Sequence, residues 1–169
     1  MNDTQNNLPH PAQSEQKICV VIIASREAPP ILEATLRRTL ASVHKPAVVD
    51  VLINGNEDLA RQFGMLMAPL ARAYPRTELR LWSTPLGDKA HALNTYVHEI
   101  WPADGIAYFV DGYVRPNEDA FSLLEKALRN DSNAWCASGV PSVGHSASAL
   151  RQEQIKEHAR VSIQEKLKA

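Results

Sequence analysis

Asp111 closes the apolar run Tyr108-Phe109-Val110 within YFVDGYVRPNEDAF, and Gly112 and Tyr113 follow it. A carboxylate at the end of a buried strand can accept hydroxyl hydrogen bonds or hold a hard divalent cation, which favours carboxylate oxygens. Lys89, in GDKAHALN, falls at the start of a helical stretch just after Gly87. An ammonium there, aided by the dipole of the helix N-terminus, can meet a diphosphate. Two more polar clusters end apolar runs: Ser25-Arg26-Glu27 after CVVIIA, and Asn54-Gly55-Asn56-Glu57-Asp58 after VVDVLI. Irregular backbone after a strand can provide a hydrogen-bonding slot for a heterocyclic base.

These residues need elements to position them. Residues 17–24 (KICVVIIA) are β-branched and almost continuously apolar, as in a strand buried on both faces. Pro29 and Pro30 open a helix over 31–44, with Leu32, Leu36, Leu40 and Val43 at helical spacing and Pro46 beyond it. A second strand spans 48–53 and a second helix 57–74, with acids in its first turn where the dipole favours them. A third strand is read at 78–83, a third helix at 88–101 and a fourth strand at 106–111. A fourth helix covers 117–129 with Asn117 as its N-cap, and a short fifth strand covers 135–140. The alternation predicts an α/β fold: a single, mostly parallel, Rossmann-like sheet of about five strands flanked by helices. In such sheets ligands bind beyond the carboxyl ends of the strands, where the polar clusters lie.

Residues 1–16 are polar, with two prolines, and read as a disordered leader; residues 17–145 form the domain; residues 146–169 carry a C-terminal helix. That helix, about 149–167, has a narrow stripe of Leu150, Ile155, Ala159 and Ile163, suited to covering a sheet face or to pairing with a partner or a second copy. A net charge of −1 with scattered basic residues excludes a strong field for nucleic acid. The longest apolar run, Cys19 to Ala24, is too short for a transmembrane segment, and the N-terminus does not read as a signal peptide, so a cytoplasmic location is expected. Cys19 and Cys136 both fall in expected buried strands and read as reduced core thiols. No Gly-x-Gly-x-x-Gly follows the first strand and no P-loop signature occurs, which disfavours dinucleotide oxidoreductases and P-loop enzymes.

Taken in order, the strand-end motifs resemble family-2 glycosyltransferases of the GT-A type, over about residues 18–140. VVIIASREAPPIL resembles the first strand and turn that line the nucleoside pocket, and VLINGNED the second, with Asn54 or Ile53 at the usual acid position. GDKAHALN matches the Gly-x-Lys/Arg-x-x-Ala-Leu-Asn helix start most sharply, and YFVDGYVRPNEDAF resembles the strand ending in Asp-x-Asp. The resemblance implies a nucleotide-diphosphate sugar as partner, with a UDP-sugar as first choice, and transfer of the sugar to an acceptor hydroxyl with inversion. It implies donor-binding roles for Ser25, Arg26, Glu27, Asn54, Asp58, Lys89, Asp111, Gly112 and Tyr113, with Asp111 also a metal ligand for manganese or magnesium.

The chain departs from that pattern at Tyr113, which stands where the second Asp of Asp-x-Asp belongs. A phenol is neutral at pH 7 and a poor ligand for these metals. Either metal binding rests on Asp111 and a distant acid, or Lys89, Arg26 or Arg115 supplies the charge, with Tyr113 free to stack on sugar or base. Neither a Glu-Asp pair nor a Gln-x-x-Arg-Trp stretch follows Val140, so no general base is assigned. The chain reads as the nucleotide-binding half of such an enzyme, in a short or truncated form. The alternative is a non-catalytic remnant acting as a binding, regulatory or oligomerisation module.

Overall fold

The computed structural model describes residues 18–102, 105–131, 133–134 and 136–140. The expected leader at 1–16 and the final helix at about 149–167, with any pairing through it, lie outside the described residues. Compact units extend through Arg115 and from Pro116 onward.

The first unit holds one parallel sheet of four strands, β1 (Ile18–Ala24), β2 (Ala47–Asn54), β3 (Thr77–Thr84) and β4 (Ile106–Asp111), in the order β3-β2-β1-β4. Every residue of β1 is buried, as its unbroken apolar run requires. It pairs with β2 from Ile18↔Ala47 to Ala24↔Ile53, and with β4 from Ile18↔Ile106 to Ile23↔Asp111. That register sets Asp111 level with Ile23, one residue short of the end of β1.

Helices α1 (Pro29–Ser42), α2 (Glu57–Ala73) and α3 (Lys89–Thr95) connect the strands; α3 runs on as a π-helical turn, Tyr96–Ile100. Prolines fill the first turn of α1, where no amide donor is needed, and Leu32, Thr35, Leu36, Thr39 and Leu40 form its buried face. Helix α2 lies on β3 with Gly64 near Leu81. Side chains alternate across the strands, and on the other face Val21, Ile23 and Leu52 form a core with Ala92 and Tyr96. Phe109 meets Tyr96 edge-on, centroids 5.9 Å apart.

In the second unit α4 (Ala120–Asn130) is amphipathic, buries Phe121 and pairs Glu125 with Arg129 at 2.8 Å. Its N-cap is Asp119 rather than the expected Asn117, because the Asn117 carbonyl is taken up in a turn by the amide of Ala120. The expected fifth strand is also corrected: Cys136–Val140 is irregular and exposed, leaving four strands among the described residues. Ala-Ser-Gly at its centre offers little side chain to bury, and Gly weakens a strand. The Cys136 thiol is accordingly exposed, not a core group; Cys19 is buried as expected. No described helix is long and apolar enough to cross a membrane.

Candidate functional site

Chain order puts β2 on one side of β1 and β4 on the other, so the carboxyl ends of β1 and β4 flank the point where the winding of the sheet reverses. Open α/β sheets bind ligands in the crevice at this point. A cleft of about 210 Å³ opens there, lined by Ile23 and Ala24 at the end of β1, Ser25, Arg26 and Glu27 after it, and Asn54, Gly87, Lys89, Asp111 and Tyr113. A larger hollow, about 300 Å³, lies at the opposite, amino ends of β2 and β3 between Pro46 and Pro75. It holds none of the polar strand-end residues, so the smaller cleft is the candidate.

Lys89 Nζ and Asp111 Oδ1 form an ion pair across the cleft, and Tyr113 Oη donates to Asp111 Oδ2 at 3.3 Å. The lysine side chain is 58% exposed and the aspartate 34%. An ion pair this open to water contributes about 0–1 kcal/mol, so an anionic ligand can draw Lys89 away at little cost. Glu27 turns back on its own loop, where Oε2 accepts the amides of Ser25 (2.7 Å) and Arg26 (3.0 Å). Arg26 is exposed.

Gly112 lies directly behind this loop. Its amide donates to Ile23 O at 2.9 Å and its carbonyl accepts the Thr35 hydroxyl at 2.8 Å. A Cβ at 112 would stand 3.0 Å from both Ala24 Cβ and Glu27 Cδ, so a side chain there would crowd the loop. Asn54 is buried and donates to Ala24 O at 3.0 Å, tying the ends of β1 and β2 together. Asp58 is not brought to the cleft: it is 78% exposed in the first turn of α2 and pairs with Arg61 at 3.0 Å.

Asn56 was not singled out by the sequence, although an Asn before a helix is an N-cap signal. Its Oδ1 caps α2 through the amide of Leu59 (3.0 Å), and its Nδ2 holds Ser25 O (2.8 Å), fixing the β1 loop. Gly55 has φ +65° and its amide reaches Thr84 O at 2.8 Å. A Cβ on Gly55 would fall 2.4 Å from Gly87 Cα, so the turns after β2 and β3 touch backbone to backbone. This contact sets where the chain enters α3 and hence where Lys89 stands. At the N-terminus of α3, Asp88 Oδ1 accepts the amides of Ala90 (2.7 Å) and His91 (3.1 Å), so two of the first-turn donors are already taken.

Beneath α3 lies a polar cluster that the sequence reading passed over. Asp50, fully buried in β2, accepts Arg80 through Nε (2.7 Å) and Nη2 (2.8 Å), Trp82 Nε1 (2.8 Å) and Tyr96 Oη (2.9 Å). Arg80 also lies over the Trp82 ring, 5.5 Å from its centroid. Burial first, and then the Asp50 carboxylate, push the Tyr96 phenol well above its ordinary range. Hydrogen bonding to Asp50 raises the Arg80 guanidinium despite its partial burial.

The architecture has a solved counterpart. The fold is similar to that of S. aureus TarS 1–349, a glycosyltransferase of GT-A type. The TM-score is 0.51 at 15% sequence identity, over 80% of this chain. The match spans 40% of the TarS fragment, so the chain corresponds to under half of that structure. No protein-family model matches, and no curated protein matches by sequence. The likeness is therefore one of fold.

A divalent metal would meet two carboxylates in the cleft, Asp111 and Glu27. No group of three or more His, Cys, Asp or Glu side chains that could hold one occurs among the described residues. At the cleft, Asp111 has donors on both oxygens and Glu27 serves its own loop amides.

Proposed function

We propose that the cleft at the sheet's reversal point binds the nucleoside-diphosphate part of a sugar donor, and that the chain is the donor-binding part of a glycosyltransferase. The supporting observation is the meeting of Lys89 and Asp111 from different turns, in one cleft with Ser25, Arg26 and Glu27. Lys89 would meet the diphosphate, and Asp111 or the exposed backbone after β1 would accept ribose hydroxyls. Asn54 would serve as floor rather than ligand, because its amide nitrogen is engaged with Ala24 O. Tyr113, exposed at the rim, would stack on the base or sugar.

In the transfer itself the oxygen of an acceptor hydroxyl attacks the anomeric carbon, its proton passes to a base supplied from outside the cleft or to water, the bond from that carbon to the diphosphate oxygen breaks, and the nucleoside diphosphate leaves with inversion. Positive charge beside the departing diphosphate lowers that barrier. At about 210 Å³ the cleft is below the ~300–1,000 Å³ of common ligand pockets, so it suits part of a donor, with the rest lying outside it.

A second reading, a binding module without transfer, is favoured by one observation. Both cleft carboxylates are already committed, so neither stands ready to take an acceptor proton. Calorimetric titration with UDP- and GDP-sugars tests the donor site: at least one should bind, and Lys89→Ala should weaken it about tenfold or more, which is about 1.4 kcal/mol. Release of free nucleoside diphosphate from the bound donor would support transfer; binding without release would support the module. Absence of binding by every donor would overturn both.

A further inference from the structure

We propose that this cleft engages its diphosphate without a divalent cation, the Lys89 ammonium standing where a metal ion would otherwise sit. The inference rests on the donor-binding reading above. Asp111 is the one carboxylate in the cleft that faces another charged side chain, and its two oxygens already accept Lys89 and Tyr113 Oη. Magnesium demands near-octahedral oxygen coordination, and usually one or two carboxylates to anchor it. A cation at Asp111 would have to displace the ammonium and then share its neighbourhood with that like charge.

Among the described residues that line the cleft, no second carboxylate is free to join Asp111. Glu27 holds the amides of Ser25 and Arg26, and its Cγ and Cδ pack against Gly112, so withdrawing it would strand two loop donors. Residue 113, two beyond Asp111, contributes a neutral phenol. Lys89, by contrast, is built for the task. An ammonium has three donors, one of which Asp111 occupies; with the side chain more than half exposed, the others are open to phosphate oxygens. Arg26 brings a second positive side chain to the same cleft.

Asp111 then acts as a positioning residue: it aims Lys89, while its own negative charge opposes the ligand's. This inverts the order of damage expected from a metal bridge. Without metal, Lys89→Gln is the costly change and Asp111→Asn a mild one, since the amide oxygen still accepts from Lys89 or from ribose. With a metal bridge, Asp111→Asn and chelation are the costly ones.

The test is calorimetric titration of the full chain with UDP and, separately, GDP as probes, in EDTA and then in millimolar magnesium or manganese. The expected dissociation constants agree within about threefold between the two conditions. Lys89→Gln should weaken binding about tenfold or more in both, and Asp111→Asn by no more than about threefold. Both substitutions are at partly exposed positions, and circular dichroism confirms that each variant is folded. Binding that needs metal, or that Asp111→Asn abolishes while Lys89→Gln does not, would overturn the inference and leave the donor-binding reading standing. Binding of neither UDP nor GDP in either condition would overturn the two together.

Discussion

Replacing Asp50 with leucine probes the support under α3. The carboxylate is fully buried and accepts four hydrogen bonds, two from Arg80 and one each from Trp82 and Tyr96. Removing one member of a buried ion pair costs about 3–5 kcal/mol when the partner charge is stranded. Here Arg80 is 28% exposed and can turn partly to water, which reduces that share. The Tyr96 hydroxyl cannot, because its side chain is wholly enclosed, and an unsatisfied buried hydroxyl costs about 1–3 kcal/mol. A total loss of about 3–4 kcal/mol is expected, a large fraction of the ~5–15 kcal/mol of a typical domain. Urea denaturation followed by circular dichroism measures it. The double variant Asp50→Leu/Tyr96→Phe should lose less than the sum of the single losses, since the phenylalanine leaves no hydroxyl to strand. Asp50→Asn keeps one acceptor oxygen and gives a milder readout should the leucine variant not fold. A loss below about 1 kcal/mol for Asp50→Leu, or strict additivity in the double variant, would refute the reasoning.

Three further changes have definite expected outcomes. Gly55→Ala places a Cβ 2.4 Å from Gly87 Cα at φ +65° and should cost about 1–2 kcal/mol from conformation alone, with more from the clash, read as a lower urea midpoint. Tyr96 keeps its proton in the folded state above the pH at which the unfolded phenol, near ~10, loses it. The unfolded chain then binds fewer protons, so stability is fully present below about pH 10 and falls by about 1.4 kcal/mol per pH unit above it. Tyr96→Phe should remove that component of the slope in urea titrations between about pH 9 and 11. Glu27→Ala uncaps the amides of Ser25 and Arg26 and should weaken nucleotide binding while costing about 1 kcal/mol of stability, measured by calorimetry and denaturation.

Much of the positioning was legible before the structure. The apolar run at 18–24 could only be a strand covered on both faces, and the helical spacing of Leu32, Leu36 and Leu40 fixed the crossover that follows. Parallel strands joined by helices place their carboxyl ends together, which is why Asp111 and the Ser25-Arg26-Glu27 turn could be assigned to one cleft from their order; Lys89 joined them through its place in GDKAHALN. Contacts that depend on three-dimensional neighbours were not legible. Asp50 breaks the apolar pattern of β2, yet its partners lie 30 to 46 positions away on β3 and the π-helical turn. Asp58 follows a strand end as a ligand would, but the start of α2 turns it to solvent. The stretch at 136–140 looked strand-like next to its flanks, while Gly139 and the small residues beside it provide no side chains to hold a strand against the sheet.

The most direct test of the donor site is a crystal structure of the chain soaked with a UDP-sugar. The expected result is diphosphate density at the carboxyl ends of β1 and β4, with a phosphate oxygen within about 3 Å of Lys89 Nζ. A fully occupied ligand bound elsewhere, with the Lys89–Asp111 cleft empty, would contradict it.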